Sequence, residues 1–155
     1  MTPLPRAAIY GGTFDPVHEG HGLGDRFLRH VERTKLLLHL VDMSSVSGRD
    51  PVSDYEVINR ELAAYDPRLA ERPQIVVATK IDALDEPERV ERLRERANQD
   101  ERKFFAISSV TGAGVRELIS AVGREVEQLR AHSAERVNLE ADDSLLVGTG
   151  NSRPW

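Results

Sequence analysis

The sequence predicts an α/β fold with three layers, in which helices flank a parallel sheet of about four strands. Short, near-continuous apolar runs, typical of buried parallel strands, occur near residues 6–11, 35–42, 74–79 and 104–108. Segments with helical periodicity separate these apolar runs, and most of the runs end at a polar residue or a glycine. Alternation of this kind gives right-handed crossovers, which bring the carboxyl ends of all the strands to one edge of the sheet.

The elements follow one another in a regular order. The predicted helices cover residues 22–33, 53–65, 87–97 and 115–129. Ser53 or Asp54 is the candidate N-cap of the second helix. The strand at 35–42 contains His39, which we interpret as a packed core histidine, and it ends at Asp42.

One α/β domain is expected over residues 1–131, because a chain of 155 residues can bury a single sizeable core. Residues 132–155 lack sustained apolar periodicity. We therefore expect an irregular or mobile tail from residue 132 onward, with 136–139 as a candidate short edge strand.

Composition limits the classes of partner. The net charge of −5 gives no overall electrostatic attraction for nucleic acid or for an anionic membrane, so neither is expected as a partner. The absence of cysteine excludes disulfides and thiolate metal sites, and no resident metal site is predicted. No apolar run is long enough for a transmembrane helix, and the N-terminus lacks a signal-peptide pattern. A cytoplasmic location is the expectation.

The N-terminal strand leads into a turn that is typical of phosphate binding. The apolar run ends at Gly11 and Gly12, and the chain then enters a helical pattern through His18-x-Gly-His21. Glycines allow a ligand to approach the backbone closely, and free N–H groups at a helix N-terminus favour phosphate. Two histidines three residues apart on a helix can face the same ligand. The stretch therefore predicts an anion site.

Residues 6–21 resemble the signature of nucleotidyltransferases of the HIGH superfamily, and nicotinate-nucleotide adenylyltransferase in particular. The pattern Gly-Gly-Thr-Phe-Asp-Pro-x-His-x-Gly-His occupies residues 11–21. The resemblance implies that the triphosphate of ATP is held here, with Mg²⁺ bridging the polyphosphate. The implied phosphate loop consists of Gly11, Gly12, Thr13 and Phe14. The implied catalytic residues are His18 and His21, which would stabilise the transferring phosphoryl group, and Thr13, which would contact phosphate.

A longer stretch, residues 18–130, resembles the C-terminal part of the G domain of Obg-type GTPases. The segments that carry this resemblance include Phe27-Leu-Arg-His-Val-Glu-Arg-Thr34, Leu38-His-Leu-Val-Asp42, Gly48-Arg-Asp-Pro51, Ile58-Asn-Arg-Glu-Leu62 and Arg72-Pro-Gln-Ile-Val-Val77. The fold that it implies is Rossmann-like or P-loop-like.

In that family an Asn-Lys-x-Asp element reads guanine. Here the element is Thr79-Lys80-Ile81-Asp82, so that Thr79 stands where the family has Asn. The resemblance implies that the Asp82 carboxylate accepts the two N–H donors of guanine and that the aliphatic stem of Lys80 packs on the base. The loop whose backbone N–H contacts the guanine oxygen corresponds to Ser108, Ser109 and Val110.

The G-domain pattern is incomplete. The sequence contains no Gly-x4-Gly-Lys-Ser/Thr P-loop, so the usual phosphate cradle and its magnesium-binding hydroxyl are missing. Conventional GTPase activity is therefore not expected. The chain reads as a hybrid of two families joined near His18-Glu-Gly, and its sequence leaves open whether the join is natural or engineered.

Three functions remain open. The first is adenylyl transfer from ATP to a mononucleotide such as nicotinate mononucleotide, in impaired form. The second is a guanine-nucleotide-binding module of Obg type, taking GTP or GDP without hydrolysing GTP. The third is a fold-only hybrid without activity.

The position of the first predicted strand in the sheet is left open. In a G domain the P-loop strand separates this strand from the strand at 36–42, and the P-loop strand is missing here. Either the first strand pairs directly with residues 36–42, or a second chain supplies a strand between them. Sequential strand order would put the first three helices on one face of the sheet. Only the helix at 115–129 and the tail could then shield the other face. The strands at 36–38 and 75–77 are apolar on both sides, so this second face would remain in contact with water. Large exposed apolar patches are rare on monomers, and we therefore predict a homodimer, with strand exchange as one arrangement.

Overall fold

The computed structural model describes residues 7–11, 25–45 and 48–146. The strands are β1 (Ala7–Gly11), β2 (Leu36–Asp42), β3 (Gln74–Thr79) and β4 (Lys103–Ala106). The helices are α1 (Asp25–Glu32), α2 (Pro51–Tyr65), α3 (Pro67–Ala70), α4 (Pro87–Gln99) and α5 (Val115–Leu146). A short 3-10 turn, Ile81–Ala83, separates β3 from α4. The predicted phosphate residues Gly12, Thr13, Phe14, His18 and His21 lie outside the described residues.

The four strands form one parallel sheet in the order β1-β2-β3-β4, which confirms the predicted α/β fold. β1 pairs directly with β2, with Ala7 opposite Leu36 and Gly11 opposite Leu40. Of the two arrangements left open by the sequence, the structure therefore has the one in which the first strand closes up against residues 36–42.

One face of the sheet is covered by the helices that connect the strands. The side chains of Leu37 and Val41 on β2 and of Val76 on β3 point to this face and are buried. They pack against apolar residues of α1, α2, α3 and α4. These residues are Leu28, Val31, Tyr55, Ile58, Leu62, Leu69, Val90, Leu93 and Ala97.

The other face is covered by α5. Alternate residues of β2 and β3 point to it, since successive side chains of a strand face opposite sides. The buried cluster comprises Leu36, Leu38, Ile75, Val77, Ile107 and Leu118, with Val115, Val122, Val126 and Leu129 of α5 packed against it. Leu36 and Ile75 are each only 1% exposed.

This packing removes the argument for a homodimer. The prediction rested on an apolar sheet face left in contact with water, but a single chain buries both faces of β2 and β3. The reason is the position of α5, which lies along the second face as far as Leu129. Dimerisation and strand exchange have no support from the described residues.

The prediction of an irregular segment from residue 132 is wrong as far as Leu146, because α5 continues to that residue. The segment 130–146 has no proline or glycine and is rich in alanine, glutamate, arginine and leucine, which are good helix formers. Propensity rather than an apolar stripe therefore carries the helix past its predicted end. The candidate edge strand at 136–139 is wrong for the same reason.

The helix α2 begins slightly earlier than predicted. Its N-cap is Asp50 rather than Ser53 or Asp54, and Pro51 occupies the first helical position, where a proline is well tolerated. The Asp50 carboxylate accepts hydrogen bonds from the backbone N–H of Ser53 at 3.0 Å and from its hydroxyl at 3.1 Å. Ser53 therefore supports the cap from inside the helix.

Candidate nucleotide-binding site

The candidate site lies at the edge of the sheet where β2, β3 and β4 end. Because the strands are parallel, their carboxyl ends share this edge, which we call the rim. Asp42 at the end of β2 is opposite Thr79 at the end of β3. Pairing continues past the strands, since Met43 N–H donates to the Thr79 carbonyl at 3.1 Å and Ile81 N–H to the Ile107 carbonyl at 3.3 Å. The loops after β3 and β4 are thus held side by side.

These two loops lead to opposite faces of the sheet. The loop at 80–86 leads to α4 on one face, whereas the loop at 107–114 leads to α5 on the other. Loops that leave adjacent strands toward opposite faces open a crevice between them, and ligands of open α/β sheets bind in such crevices. The predicted base-recognition residues all lie on these two loops or at the strand end that precedes them.

Lys80 occupies an unusual backbone conformation directly after β3. Its φ of 58° and ψ of 39° lie in the left-handed region, and the 3-10 turn follows at once. A non-glycine residue in that region costs of order 1–3 kcal/mol, and such residues cluster at functional sites. The turn brings Asp82 back over the rim, where its side chain is exposed.

The side chain of Lys80 is tied to Asp42. The ammonium Nζ donates to Asp42 Oδ2 at 2.6 Å, and Ser44 donates to Oδ1 from its backbone N–H at 2.8 Å and from its hydroxyl at 2.7 Å. Burial alone would raise the pKa of the Asp42 carboxyl, but the hydrogen bonds from Lys80 and Ser44 outweigh it and lower the pKa below its ordinary value. Asp42 is therefore an ionised anchor for the lysine.

Asp82 is held from the neighbouring loop. The hydroxyl of Ser108, which is 1% exposed, donates to Asp82 Oδ1 at 2.6 Å. The same Ser108 oxygen accepts the backbone N–H of Thr111 at 3.0 Å, which fixes the direction of the hydroxyl. Within the described residues this is the one hydrogen bond to the Asp82 carboxylate. The second oxygen and the outer lone pairs remain open to a ligand.

The loop after β4 depends on two glycines with positive φ. Gly112 has φ 80° and Gly114 has φ 70°. A Cβ at Gly114 would lie 2.2 Å from the carbonyl oxygen of Ala106, so only glycine fits there. The tight turn leaves Ser109 exposed and Val110 85% exposed at the tip of the loop, beside the crevice.

Thr79 is directed away from the crevice. Its hydroxyl donates to the backbone carbonyl of Val41 at 3.2 Å, so that it links β3 to β2 at the rim. In this position the side chain reinforces the pair formed by β2 and β3.

The structure thus brings together Thr79, Lys80, Asp82, Ser108, Ser109 and Val110 on one rim. It adds two residues to which sequence reasoning gave no binding role, Asp42 and Ser44. The signal for Asp42 was present, since an acidic residue ends a long apolar run, but its pairing with a lysine 38 residues away became visible only in the fold.

The described part of the rim offers no ready place for a protein-bound metal. Among the described residues no group of three histidine, cysteine or acidic side chains is arranged to hold a metal ion. The Asp42 carboxylate is occupied by Lys80 and Ser44. Separately, none of the described helices is long and apolar enough to cross a membrane.

Comparison with known proteins identifies relatives named GTPase Obg. No family model matches the chain. GTPase Obg of Natranaerobius thermophilus is 44% identical over 142 residues, which cover 86% of this chain and 31% of that protein. GTPase Obg of Solibacter usitatus is 53% identical over 115 residues, or 74% of this chain and 34% of the relative. GTPase Obg of Syntrophotalea carbinolica is 45% identical over 144 residues, or 93% and 38%.

Among solved structures, a variant of Era from Aquifex aeolicus bound to GDP and AlF4⁻ has 21% sequence identity and a TM-score of 0.48, covering 66% of this chain and 33% of that chain. This chain spans about a third of the length of the curated relatives it matches. The relatives give no support to the nucleotidyltransferase resemblance of residues 6–21. Over most of its length the chain is similar to a segment of the proteins named GTPase Obg.

Proposed function

We propose that the chain is a guanine-nucleotide-binding module that contains the base-recognition part of an Obg-type GTPase. The observation that carries the proposal is the exposed Asp82 carboxylate, held over the rim by the buried Ser108. The similarity to proteins named GTPase Obg supports the same function.

The chemistry of a lone, oriented carboxylate suits guanine. Guanine presents two parallel N–H donors on its Watson–Crick edge, and a carboxylate can accept both. Adenine presents a different pattern on that edge, so the same carboxylate would face an acceptor nitrogen and would be left partly unpaired. The hydrogen bond from Ser108 limits the rotation of the carboxylate and so lowers the entropic cost of binding.

The aliphatic stem of Lys80 would pack against the face of the base. Because its ammonium is bound to Asp42 across the end of β2, its methylene stem is held at the rim, where the side chain is 60% exposed and accessible to a base. An aliphatic stem held in this way provides an apolar surface for a planar base while its charge remains satisfied.

Binding should be weak and without hydrolysis of GTP. The P-loop is missing from the sequence, so the phosphates lose the contacts that hold them in a complete G domain. Mg²⁺ would arrive on the phosphates of the nucleotide, since the described residues do not provide a metal site of their own.

Isothermal titration calorimetry of the full chain with GDP, GTP, ADP and ATP, each with Mg²⁺, tests this function. We expect saturable binding of the guanine nucleotides and at least about tenfold weaker binding of the adenine nucleotides, since loss of a paired charged hydrogen bond is worth about 1.5–3 kcal/mol. Asp82→Ala should weaken GDP binding to the level of ADP binding, so that the preference for guanine is lost. Asp82→Asn should shift the preference from GDP to xanthosine diphosphate, because an amide replaces one acceptor with a donor.

Glu86→Gln is the matched control, since it neutralises an exposed acid four residues away that makes no cap hydrogen bond. This variant should bind GDP like the parent. Equal affinities for GDP and ADP, or unchanged GDP binding in Asp82→Ala, would contradict the proposal. ATP binding that disappears in His18→Ala, with pyrophosphate release in the presence of nicotinate mononucleotide, would instead favour the nucleotidyltransferase hypothesis.

A further inference from the structure

A second concave site lies at the opposite end of the sheet, where β2 begins. It has a volume of about 420 Å³ and is lined mainly by basic side chains. These are Arg33, Lys35, Arg72, His132 and Arg136, and the acidic residue among the lining is Glu32. We call this site the cationic pocket.

The cationic pocket is separate from the rim. Lys35 immediately precedes β2, and Asp42 is the last residue of that strand. A strand rises about 3.3 Å per residue, so the two ends of β2 are about 20 Å apart. A ligand in the cationic pocket would therefore not touch Asp82 or Ser108.

Hydrogen bonds build the walls of the pocket. The Arg72 guanidinium covers the carboxyl end of α1, donating to the carbonyls of Val31 at 2.6 Å and Glu32 at 2.8 Å and also to that of Thr34. On the other side, Lys35 Nζ donates to the Ser133 hydroxyl of α5 at 2.7 Å. The end of α1, the start of β2 and the second half of α5 are thereby joined around one concavity.

Several of these charges lack an acidic partner in the part of the chain that the structure describes. Arg33 and Arg136 are exposed and form no ion pair there, and Lys35 is bound to a neutral hydroxyl. The carboxylate of Glu32 accepts a hydrogen bond from Tyr65 at 3.0 Å. A chain with a net charge of −5 thus concentrates positive charge at one place.

We propose that the cationic pocket binds a compact oligophosphate, meaning two or more linked phosphate groups. Guanidinium groups match phosphate oxygens with two parallel hydrogen bonds, and lysine adds a point charge. The basic groups converge on one concavity instead of forming a stripe, which suits a short, densely charged anion better than an extended one. The phosphates can come from a free oligophosphate or from the diphosphate end of a nucleotide.

Calorimetry of the full chain with pyrophosphate and with tripolyphosphate, at low ionic strength, tests the proposal. We expect saturable binding that weakens as salt is added and that is tighter for tripolyphosphate. The double variant Arg33→Glu/Arg136→Glu should weaken binding by at least about tenfold, because two attractive charges become repulsive. Both residues are exposed, and thermal unfolding followed by circular dichroism checks that the variant is folded.

Arg124→Glu is the matched control, since it reverses an exposed arginine on α5 that does not line the pocket. It should weaken pyrophosphate binding much less than the double variant does, because it reverses one charge outside the pocket. The remaining effect should disappear at about 0.1 M salt, where the Debye length falls to about 10 Å. The source of the phosphates follows from a titration with GDP in the Asp82→Ala background. Residual GDP binding that disappears in the double variant would identify a nucleotide diphosphate as one source, and pyrophosphate binding alone would identify the free anion.

Three results would overturn the proposal. One is the absence of saturable binding of either oligophosphate at millimolar concentration. Another is equal affinity in the parent and in the Arg33→Glu/Arg136→Glu variant. The third is tighter binding of a single-stranded RNA without terminal phosphates than of tripolyphosphate, which would mean that the surface serves an extended polyanion.

Discussion

At the scale of single residues, the two carboxylates of the rim differ in what surrounds them. Asp42 accepts hydrogen bonds from Lys80 and Ser44, so its charge is already balanced inside the protein. Asp82 accepts one hydrogen bond, from Ser108, within the described residues and is exposed. We infer that Asp42 holds the rim together and that Asp82 is free to recognise a ligand.

This difference predicts a pH-dependent contribution of Asp42 to stability. The pKa of Asp42 is lower in the folded protein than in the unfolded chain. Its stabilisation is therefore fully present above the ordinary aspartate pKa, near 4, and is lost as the pH falls through the lower folded-state value. Asp42→Asn should reduce the free energy of unfolding by about 1 kcal/mol at pH 7, and the difference should shrink toward pH 3. Urea unfolding at both pH values measures it.

Glu95→Gln is the control for this prediction, because it removes an exposed carboxylate of α4 for which the described residues show no ion pair. It should change stability little at either pH. A difference between Asp42→Asn and the parent that stays constant from pH 7 to pH 3 would contradict the role assigned to the ionised carboxylate.

At the scale of elements, the glycines in and before α5 differ in how much space a side chain would have. Gly114 precedes the helix with φ 70°, and the Ala106 carbonyl occupies the space where a Cβ would lie. Gly112 also has positive φ but has open space around it. Gly123 lies within α5, again with open space. The three glycines are therefore needed for different reasons, or not at all.

Three alanine substitutions should separate these reasons. Gly114→Ala should lower the free energy of unfolding by about 3 kcal/mol, because the backbone is strained and an atom must shift. Gly112→Ala should lower it by about 1 kcal/mol, through the backbone alone. Gly123→Ala should raise it by about 0.5–1 kcal/mol, because glycine is a poor helix former. Thermal and urea unfolding of the three variants gives the order. A Gly114→Ala variant as stable as Gly112→Ala would show that the Ala106 carbonyl does not obstruct a Cβ.

The bounds of some elements could be predicted from the sequence and those of others could not. The strands at 36–42 and 74–79 could be predicted to within a residue, because both of their faces are buried and their apolar runs are continuous. The end of α5 could not, because the α5 side chains described as packing on the sheet extend to Leu129, while the helix backbone continues to Leu146. A pattern of burial predicts where a helix packs, not where it ends.

At the scale of the whole molecule, one chain covers both faces of β2 and β3. Leu118 of α5 is 8% exposed and packs on the second face, whereas its neighbour Ile119 is 65% exposed. Leu118→Ala should lower the free energy of unfolding by about 2–4 kcal/mol through the cavity that it leaves. Ile119→Ala should change it by no more than about 0.5 kcal/mol. Urea unfolding of the two variants measures the difference.

The same packing predicts that stability does not depend on protein concentration. If a second copy were needed to cover the sheet, the thermal midpoint would rise with concentration by mass action. We expect one midpoint over a wide concentration range, measured by differential scanning fluorimetry, and a monomer mass by light scattering. A midpoint that rises with concentration would restore the homodimer.

The two candidate sites differ in how far their residues can be predicted from the sequence. Lys80, Asp82 and Ser108 follow short motifs, so they could be named in advance, but the hydrogen bond between Asp82 and Ser108 depends on how two loops pair. The cationic pocket has no motif. It joins Lys35 to Ser133, which are 98 residues apart, and the net charge of the chain conceals it.

The order of the strands has a consequence for how the chain folds. Each strand pairs with the one that precedes it in the sequence, so every strand contact closes through a single connecting segment. Proteins in which contacting segments are close in sequence fold faster than those that must join distant ones. During synthesis β2 and β3 could dock before β4 emerges from the ribosome, and α5 would then seal the hydrophobic surface last.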